Sequence, residues 1–156
     1  MKSIKKFLAS LVILSTLLTS GLLTAQEITI GTGTSTAVLY TPIYRYSSST
    51  TTDFGRGDAL YTSTDLASLP VGAYIYKIAW KKTNAGATNG PANFKIFMKN
   101  STATSLTSGT TWATLMTGTT EVYSSTSQQI PSTIGWIEFP ITPFPFAGPG
   151  LEILTD

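Results

Sequence analysis

The chain has 156 residues, a formal net charge of +2, and neither cysteine nor histidine. Those two absences exclude a histidine general base, the Ser-His-Asp and Cys-His nucleophile systems, and zinc sites built on either ligand, so we expect no catalytic or metal-binding residues of these kinds. Aromatic residues make up 11% of the chain, too many for a disordered Ser/Thr-rich stalk, and a packed domain is therefore favoured.

The first 25 residues have the organisation of a secretory signal peptide. Three lysines within the first six residues precede an apolar run that extends to about Leu23, and Ala25 is a small residue suited to cleavage. An uncleaved membrane anchor is the alternative, but serines, threonines and a glycine interrupt the run, which makes it a poor spanning helix. We expect cleavage after Ala25, a secreted or outer-cell-surface location, and no membrane span in the mature chain.

Removing residues 1–25 leaves 131 residues, 26–156, which suits one domain with a hydrophobic core. Three of the ten basic residues leave with the signal peptide, so seven remain against eight acidic residues and the mature net charge is about −1. No basic stripe remains, and nucleic-acid binding is not expected.

Apolar and polar residues alternate with period two along much of the chain, which predicts β-strands. In segment 74–81 the even-numbered residues are large and are expected to face the core, with the lysines outside. The inward residues would be Tyr74, Tyr76, Ile78 and Trp80. Other predicted strands are 27–31, 38–46, 59–62, 94–98, 121–124, 135–141 and 151–155, and single helical turns are predicted at 65–69, capped by Thr64, and at 102–108. About eight short strands separated by Gly, Pro, Ser and Thr predict an all-β, antiparallel, jelly-roll-like β-sandwich.

The predicted strand 151–155 is apolar and comes at the end of the sequence. It is either a natural edge strand or part of a longer sheet whose remainder is missing. Because an unpaired apolar edge strand is an aggregation liability, we expect this sequence to be a fragment of a longer multidomain chain, truncated at the C-terminal end of the sandwich.

Five residues are candidates for ligand binding. Arg56 and Asp58 flank Gly57 in an integrin-type tripeptide, although a tight turn is the simpler interpretation. Tyr44, Tyr46 and Trp112 are candidates for stacking on sugar rings, although a half-buried core position is the more common role of such residues. Trp136 is expected to face outward on its strand. The partners implied are glycans or a host or cell-surface protein.

Other chemistry has weaker support. Asp53, Asp58 and Asp65 are loosely spaced, without the alternating oxygens and terminal glutamate of an EF-hand. A loop calcium site that uses Asp53 or Asp58 is an alternative to a solvated turn, which is the favoured interpretation. Glu121 and Glu138 could form the carboxylate pair of a glycosidase, although Glu138 is expected on an outer face. A Ser-Lys pair stays open because serine is abundant, yet no motif supports it. No cofactor is expected.

Several segments together resemble a known module. They are IGTGTST at 30–36, PIY at 42–44, LYT at 60–62, IAW at 78–80, NFKIFM at 93–98, TWATL at 111–115, GWIEF at 135–139 and LEI at 151–153. In this order they resemble an N-terminal β-sandwich module of secreted, type IX-exported surface proteins of the Bacteroidetes. The resemblance implies a non-enzymatic module for adhesion, glycan binding or domain spacing. The alternative is an accessory domain of a larger secreted peptidase or glycosidase whose catalytic part lies beyond residue 156.

Two features depart from that family pattern. The C-terminal sorting domain that such proteins carry is missing, which agrees with the expected truncation. The segment PFPFAGPG at 143–150 is rich in proline, so we expect an irregular final hairpin.

Overall fold

The computed structural model describes residues 25–31, 55–83, 85 and 91–156. The elements within these ranges are, in chain order, β1 (Gly57–Tyr61), β2 (Tyr74–Lys82), β3 (Ala92–Ser101), α1 (Trp112–Leu115), β4 (Thr120–Gln128), β5 (Gly135–Pro145) and β6 (Gly150–Thr155). The all-β prediction is confirmed, with six strands in the described ranges rather than about eight. Residues 27–31 form no strand, and the predicted strand 38–46 and the signal peptide up to residue 24 lie outside the description.

The strands form two antiparallel sheets. The four-stranded sheet has the order β1-β6-β3-β4, and the two-stranded sheet pairs β2 with β5. Their inner faces share one hydrophobic core, in which the rings of Phe94 and Phe139 lie 5.4 Å apart between centroids. The result is a β-sandwich-like fold, because each sheet has one apolar face that must be covered by the other.

Strand β3 shows how the alternation produces this packing. Phe94, Ile96 and Met98 are at most 1% exposed and belong to the core cluster. Lys95 and Lys99 lie on the opposite face, where each forms an ion pair. The prediction for segment 94–98 is therefore confirmed, because side chains of successive strand residues point to opposite faces of a sheet.

Strand β2 departs from the predicted alternation. Tyr74 and Tyr76 were expected inside, but they are 56% and 60% exposed. Ile75 packs against the core instead, and further along the strand Ile78 and Trp80 do so as predicted. The inward face thus changes from odd-numbered to even-numbered residues within one strand.

A break in the register between β2 and β5 causes this change. Ile75 is opposite Phe144, whereas Lys77 is opposite Pro140, so between these pairs one residue of β2 faces three residues of β5. Strand β5 has prolines at positions 140, 143 and 145, and proline has no N–H to donate to a ladder. Such an irregularity interrupts the pairing, so that odd-numbered residues face the core on one side of the break and even-numbered residues face it on the other. The observed break lies at residues 141–143 of β5, in its pairing with β2, rather than in the final hairpin, where irregularity was expected.

The C-terminal strand β6 has a neighbour on each side. It pairs with β1 and with β3, and all six of its residues are buried. The alternative of a natural edge strand is therefore wrong, and the expected truncation stays a prediction. Strands far apart in the sequence supply both partners.

The two predicted helical turns also differ from the structure. Residues 63–68 form turns rather than a helix, and Thr62 is the threonine that bonds to this segment, since its backbone N–H and hydroxyl both donate to the Asp65 carboxylate at 2.8 Å. No helix forms at 102–108. The helix begins later, at Trp112, where the Thr111 hydroxyl accepts a hydrogen bond from the backbone N–H of Thr114.

Candidate functional site

Three of the five predicted ligand-binding residues lie near one another at the start of β1. The guanidinium carbon of Arg56 is 4.8 Å from the ring centre of Trp112, within the range of a cation–π contact. Arg56 Nε also donates to a carboxylate oxygen of Asp156 at 2.9 Å. Asp58 is two residues further along the strand. The other two candidates, Tyr44 and Tyr46, lie outside the described residues.

The Arg56-Gly57-Asp58 tripeptide is not displayed at a loop tip, and the tight turn expected there is absent. Gly57 and Asp58 belong to β1 and pair with Thr155 and Leu154 of β6. The sequence pattern was misleading because glycine is common in turns, whereas here the chain enters the ladder at Gly57. The charge of Arg56 is already used within the fold.

Asp58 belongs to a covered charge cluster that we call the Asp58–Glu152–Lys99 cluster. Glu152, in the middle of β6, is 6% exposed, and its Oε1 lies 2.9 Å from Lys99 Nζ without a hydrogen bond of regular geometry. Burial raises the pKa of the Asp58 carboxyl, and both the charge of Glu152 and a hydrogen bond with it act in the same direction. The positive charge of Lys99 opposes this rise.

Helix α1 is attached to the sheet at this cluster. Lys99 Nζ donates to the backbone carbonyl of Leu115 at 2.6 Å, while Trp112 at the other end of the helix contacts Arg56. Lys99 therefore pairs with the buried carboxylate of Glu152 and also donates a hydrogen bond at the end of helix α1, where the last backbone carbonyls have no partner within the helix. These contacts give the cluster a structural role and leave it covered.

The carboxylates considered for a glycosidase are far from forming a pair. Glu121 is bound by Lys95 at 2.9 Å on the outer surface of the four-stranded sheet. Glu138 is bound by Lys77 at 2.7 Å on the outer surface of the two-stranded sheet. Because these surfaces are on opposite sides of the sandwich, the two groups do not flank one glycosidic bond.

The aspartates considered for calcium are used in other ways or lie outside the description. Asp53 is not among the described residues. The carboxylate of Asp65 accepts hydrogen bonds from the backbone and hydroxyl of Thr62, and these bonds lower its pKa. In the part of the chain that the structure describes, no three His, Cys, Asp or Glu side chains are grouped so that they could hold a metal ion.

The outer surface of the two-stranded sheet carries exposed aromatic rings. Tyr74, Tyr76 and Trp136 are 56%, 60% and 50% exposed. The two tyrosine rings lie 6.4 Å apart between centroids, and Trp136 lies toward the other end of the sheet, outward as predicted. We call this surface the aromatic face. It comprises Tyr74, Tyr76, Lys77, Ala79, Lys81, Trp136 and Glu138.

The middle of the aromatic face is polar. The Lys77 ammonium donates to Glu138, and this hydrogen bond raises the pKa of Lys77. Ala79 lies opposite Glu138, and Lys81 lies opposite Trp136. From Tyr76 to the level of Lys81 the strand advances five residues, or about 16 Å at the usual rise. The face is therefore long enough to contact several units of an extended ligand.

Sequence reasoning missed the tyrosines of this face because it continued one alternation through the whole of β2. The three prolines spaced through β5 were the available signal, since proline has no N–H to donate to a ladder and is found at edge strands and bulges. They do not by themselves specify which residue of β2 lies at the break.

Comparisons with models of protein families, with curated proteins and with solved structures found no match to this chain. Among the described residues, no helix combines the length and apolar character needed to cross a membrane.

Proposed function

We propose that this chain is a non-enzymatic, exported β-sandwich module of jelly-roll-like topology that binds glycans through the aromatic face. The observation that carries the proposal is the exposure of Tyr74, Tyr76 and Trp136 on one sheet surface. Exposed aromatic rings grouped on one surface are typical of interaction sites. Their flat, apolar faces suit the C–H faces of sugar rings, and their polar atoms suit the hydroxyl groups.

The construction of the face supports a recognition role. Its side chains project from paired strands, and the residues beneath them, Ile75, Ile78 and Trp80, pack against the core. The rings are consequently held on a rigid support, which reduces the entropy lost when a ligand binds. The ion pair between Lys77 and Glu138 provides donors and acceptors between the rings.

The cellular setting of the proposal comes from the sequence. The signal-peptide pattern at residues 1–25 and the resemblance to type IX-exported modules both support a secreted or outer-surface location. Adhesion of the parent protein to polysaccharide is the function that fits such a location and an aromatic face.

The test is binding of the exported protein to a panel of soluble polysaccharides by affinity gel electrophoresis, with the hits measured by calorimetry. We expect Tyr76→Ala and Trp136→Ala each to weaken binding to the same glycan. Trp112→Ala is the matched control, since it removes a half-buried aromatic from helix α1, which is attached to the other sheet. Loss of binding in Trp112→Ala, with both face variants unaffected, would place the site elsewhere. No binding across the panel would refute the proposal.

A further inference from the structure

Lys81 and Trp136 lie directly opposite each other on the aromatic face. Their neighbours Trp80 and Ile137 also form a pair and pack inward, so Lys81 and Trp136 both point outward. Directly opposite residues of an antiparallel pair have Cβ atoms about 5 Å apart. The Lys81 side chain therefore projects from the position next to Trp136, a residue that is 50% exposed.

The charge of Lys81 on this face is not used by the fold. Lys77 is neutralised by Glu138 at 2.7 Å, and that same contact occupies the carboxylate. Among the described residues, Lys81 forms no ion pair or hydrogen bond. Ile134, two residues before Trp136 in the chain, is also exposed, at 63%.

We infer that this end of the aromatic face binds anionic polysaccharides, with a uronic acid ring stacked on Trp136 and its carboxylate paired with Lys81. The inference rests on the proposed function and names the class of glycan. A uronic acid has its carboxylate on a carbon of the ring itself, so a ring stacked on the indole would hold its charge within reach of the flexible side chain of the adjacent Lys81. Because the mature chain has a net charge of about −1, overall charge does not attract a polyanion and the preference must be local.

The expected effect is modest and depends on salt. An exposed ion pair contributes up to about 1 kcal/mol, which corresponds to a preference for the acid of roughly threefold to fivefold. Since such a pair is screened by dissolved ions, the preference should shrink as the salt concentration is raised from low to about 0.15 M and above.

The experiment compares polygalacturonate with its fully methyl-esterified form, which keeps the ring and removes the charge. The wild-type protein should prefer the acid, Lys81→Met should bind both forms equally at the wild-type affinity for the ester, and Lys81→Arg should keep the preference. Trp136→Ala should weaken binding to both forms. Lys95→Met is the control, because it removes an exposed lysine from the outer surface of the other sheet.

Each outcome decides one of the two claims. Equal wild-type affinity for acid and ester would overturn the inference and leave the proposed function standing. An equal loss of preference in Lys81→Met and Lys95→Met would also overturn the inference, since it would trace the preference to net charge. If the protein binds neither form and no other glycan of the panel, the proposed function fails. If it binds only neutral glycans of the panel, the inference alone fails.

Discussion

Removing the lysine should cost much more stability at the Lys99–Glu152 ion pair than at the Lys95–Glu121 pair, although the N···O distance is 2.9 Å in both. Both lysines are on β3 and face the outer surface of the same sheet. Their surroundings differ, because the side chains of Lys99 and Glu152 are 18% and 8% exposed, whereas those of Lys95 and Glu121 are 46% and 42% exposed. Lys99→Met and Lys95→Met therefore form a matched pair of variants.

The magnitudes follow from what each change leaves behind. Lys99→Met leaves Glu152 buried next to Asp58 without a positive charge and removes the donor to the Leu115 carbonyl. Breaking a buried pair in this way costs about 3–5 kcal/mol. Lys95→Met leaves a solvated carboxylate at Glu121, and the cost should be below about 1 kcal/mol.

The assay is urea unfolding at pH 7, followed by tryptophan fluorescence and circular dichroism. Adding Glu152→Leu to Lys99→Met should recover most of the lost stability, because no unpaired charge then remains buried. Equal free energies of unfolding for Lys99→Met and Lys95→Met would refute the reasoning. So would a double variant in which the effects of Lys99→Met and Glu152→Leu simply add.

Three further predictions concern other parts of the fold. The folded-state pKa of Asp58 is raised above 3.8, so the contribution of this carboxyl to stability is complete below pH 3.8 and is lost as the pH rises through the folded-state value. In unfolding titrations over that pH range, Asp58→Asn should therefore become increasingly stable relative to the wild type. A stability difference that shrinks as the pH rises would contradict this. Phe139→Ala should lower the free energy of unfolding by about 3–5 kcal/mol, because the Phe139 ring contacts those of Trp80, Phe94 and Tyr123. A loss in denaturant unfolding no larger than that of a surface substitution would show that the core lies elsewhere. Trp112→Ala removes the contact with Arg56 and should lower the free energy of unfolding by about 1 kcal/mol. Hydrogen exchange should become faster in α1 while the amides of β3 stay protected. Uniform loss of protection would show that the helix does not open separately from the sheet.

The strands themselves were largely predictable. Alternation correctly indicated that Phe94, Ile96 and Met98 face the core, and it placed Trp136 outside. These inferences depend only on the two-residue period of an extended chain, which any packed sheet must obey. The segments that became β1, β4 and β6 were recognised for the same reason, although their ends shifted by up to a few residues.

The candidate site was harder to predict from the sequence. Arg56 and Asp58 were chosen as neighbours in sequence, whereas their roles come from Trp112, Asp156 and Glu152, which are distant along the chain. No local pattern marks such a contact, because it exists only when β1 and β6 pair. The Asp58–Glu152–Lys99 cluster could not be predicted from the composition for the same reason.

By itself, the sequence determined that the described chain is an all-β domain without histidine or cysteine chemistry and that large residues on one face of each strand form a core. Only the tertiary structure decided that β6 lies between β1 and β3, and that Tyr74 and Tyr76 are on the surface. The physical reason is that alternation is a local property of one strand. Strand neighbours and register breaks are set by backbone pairing between distant segments. A register break near a proline in one strand changes which side chains of the partner strand are exposed to solvent.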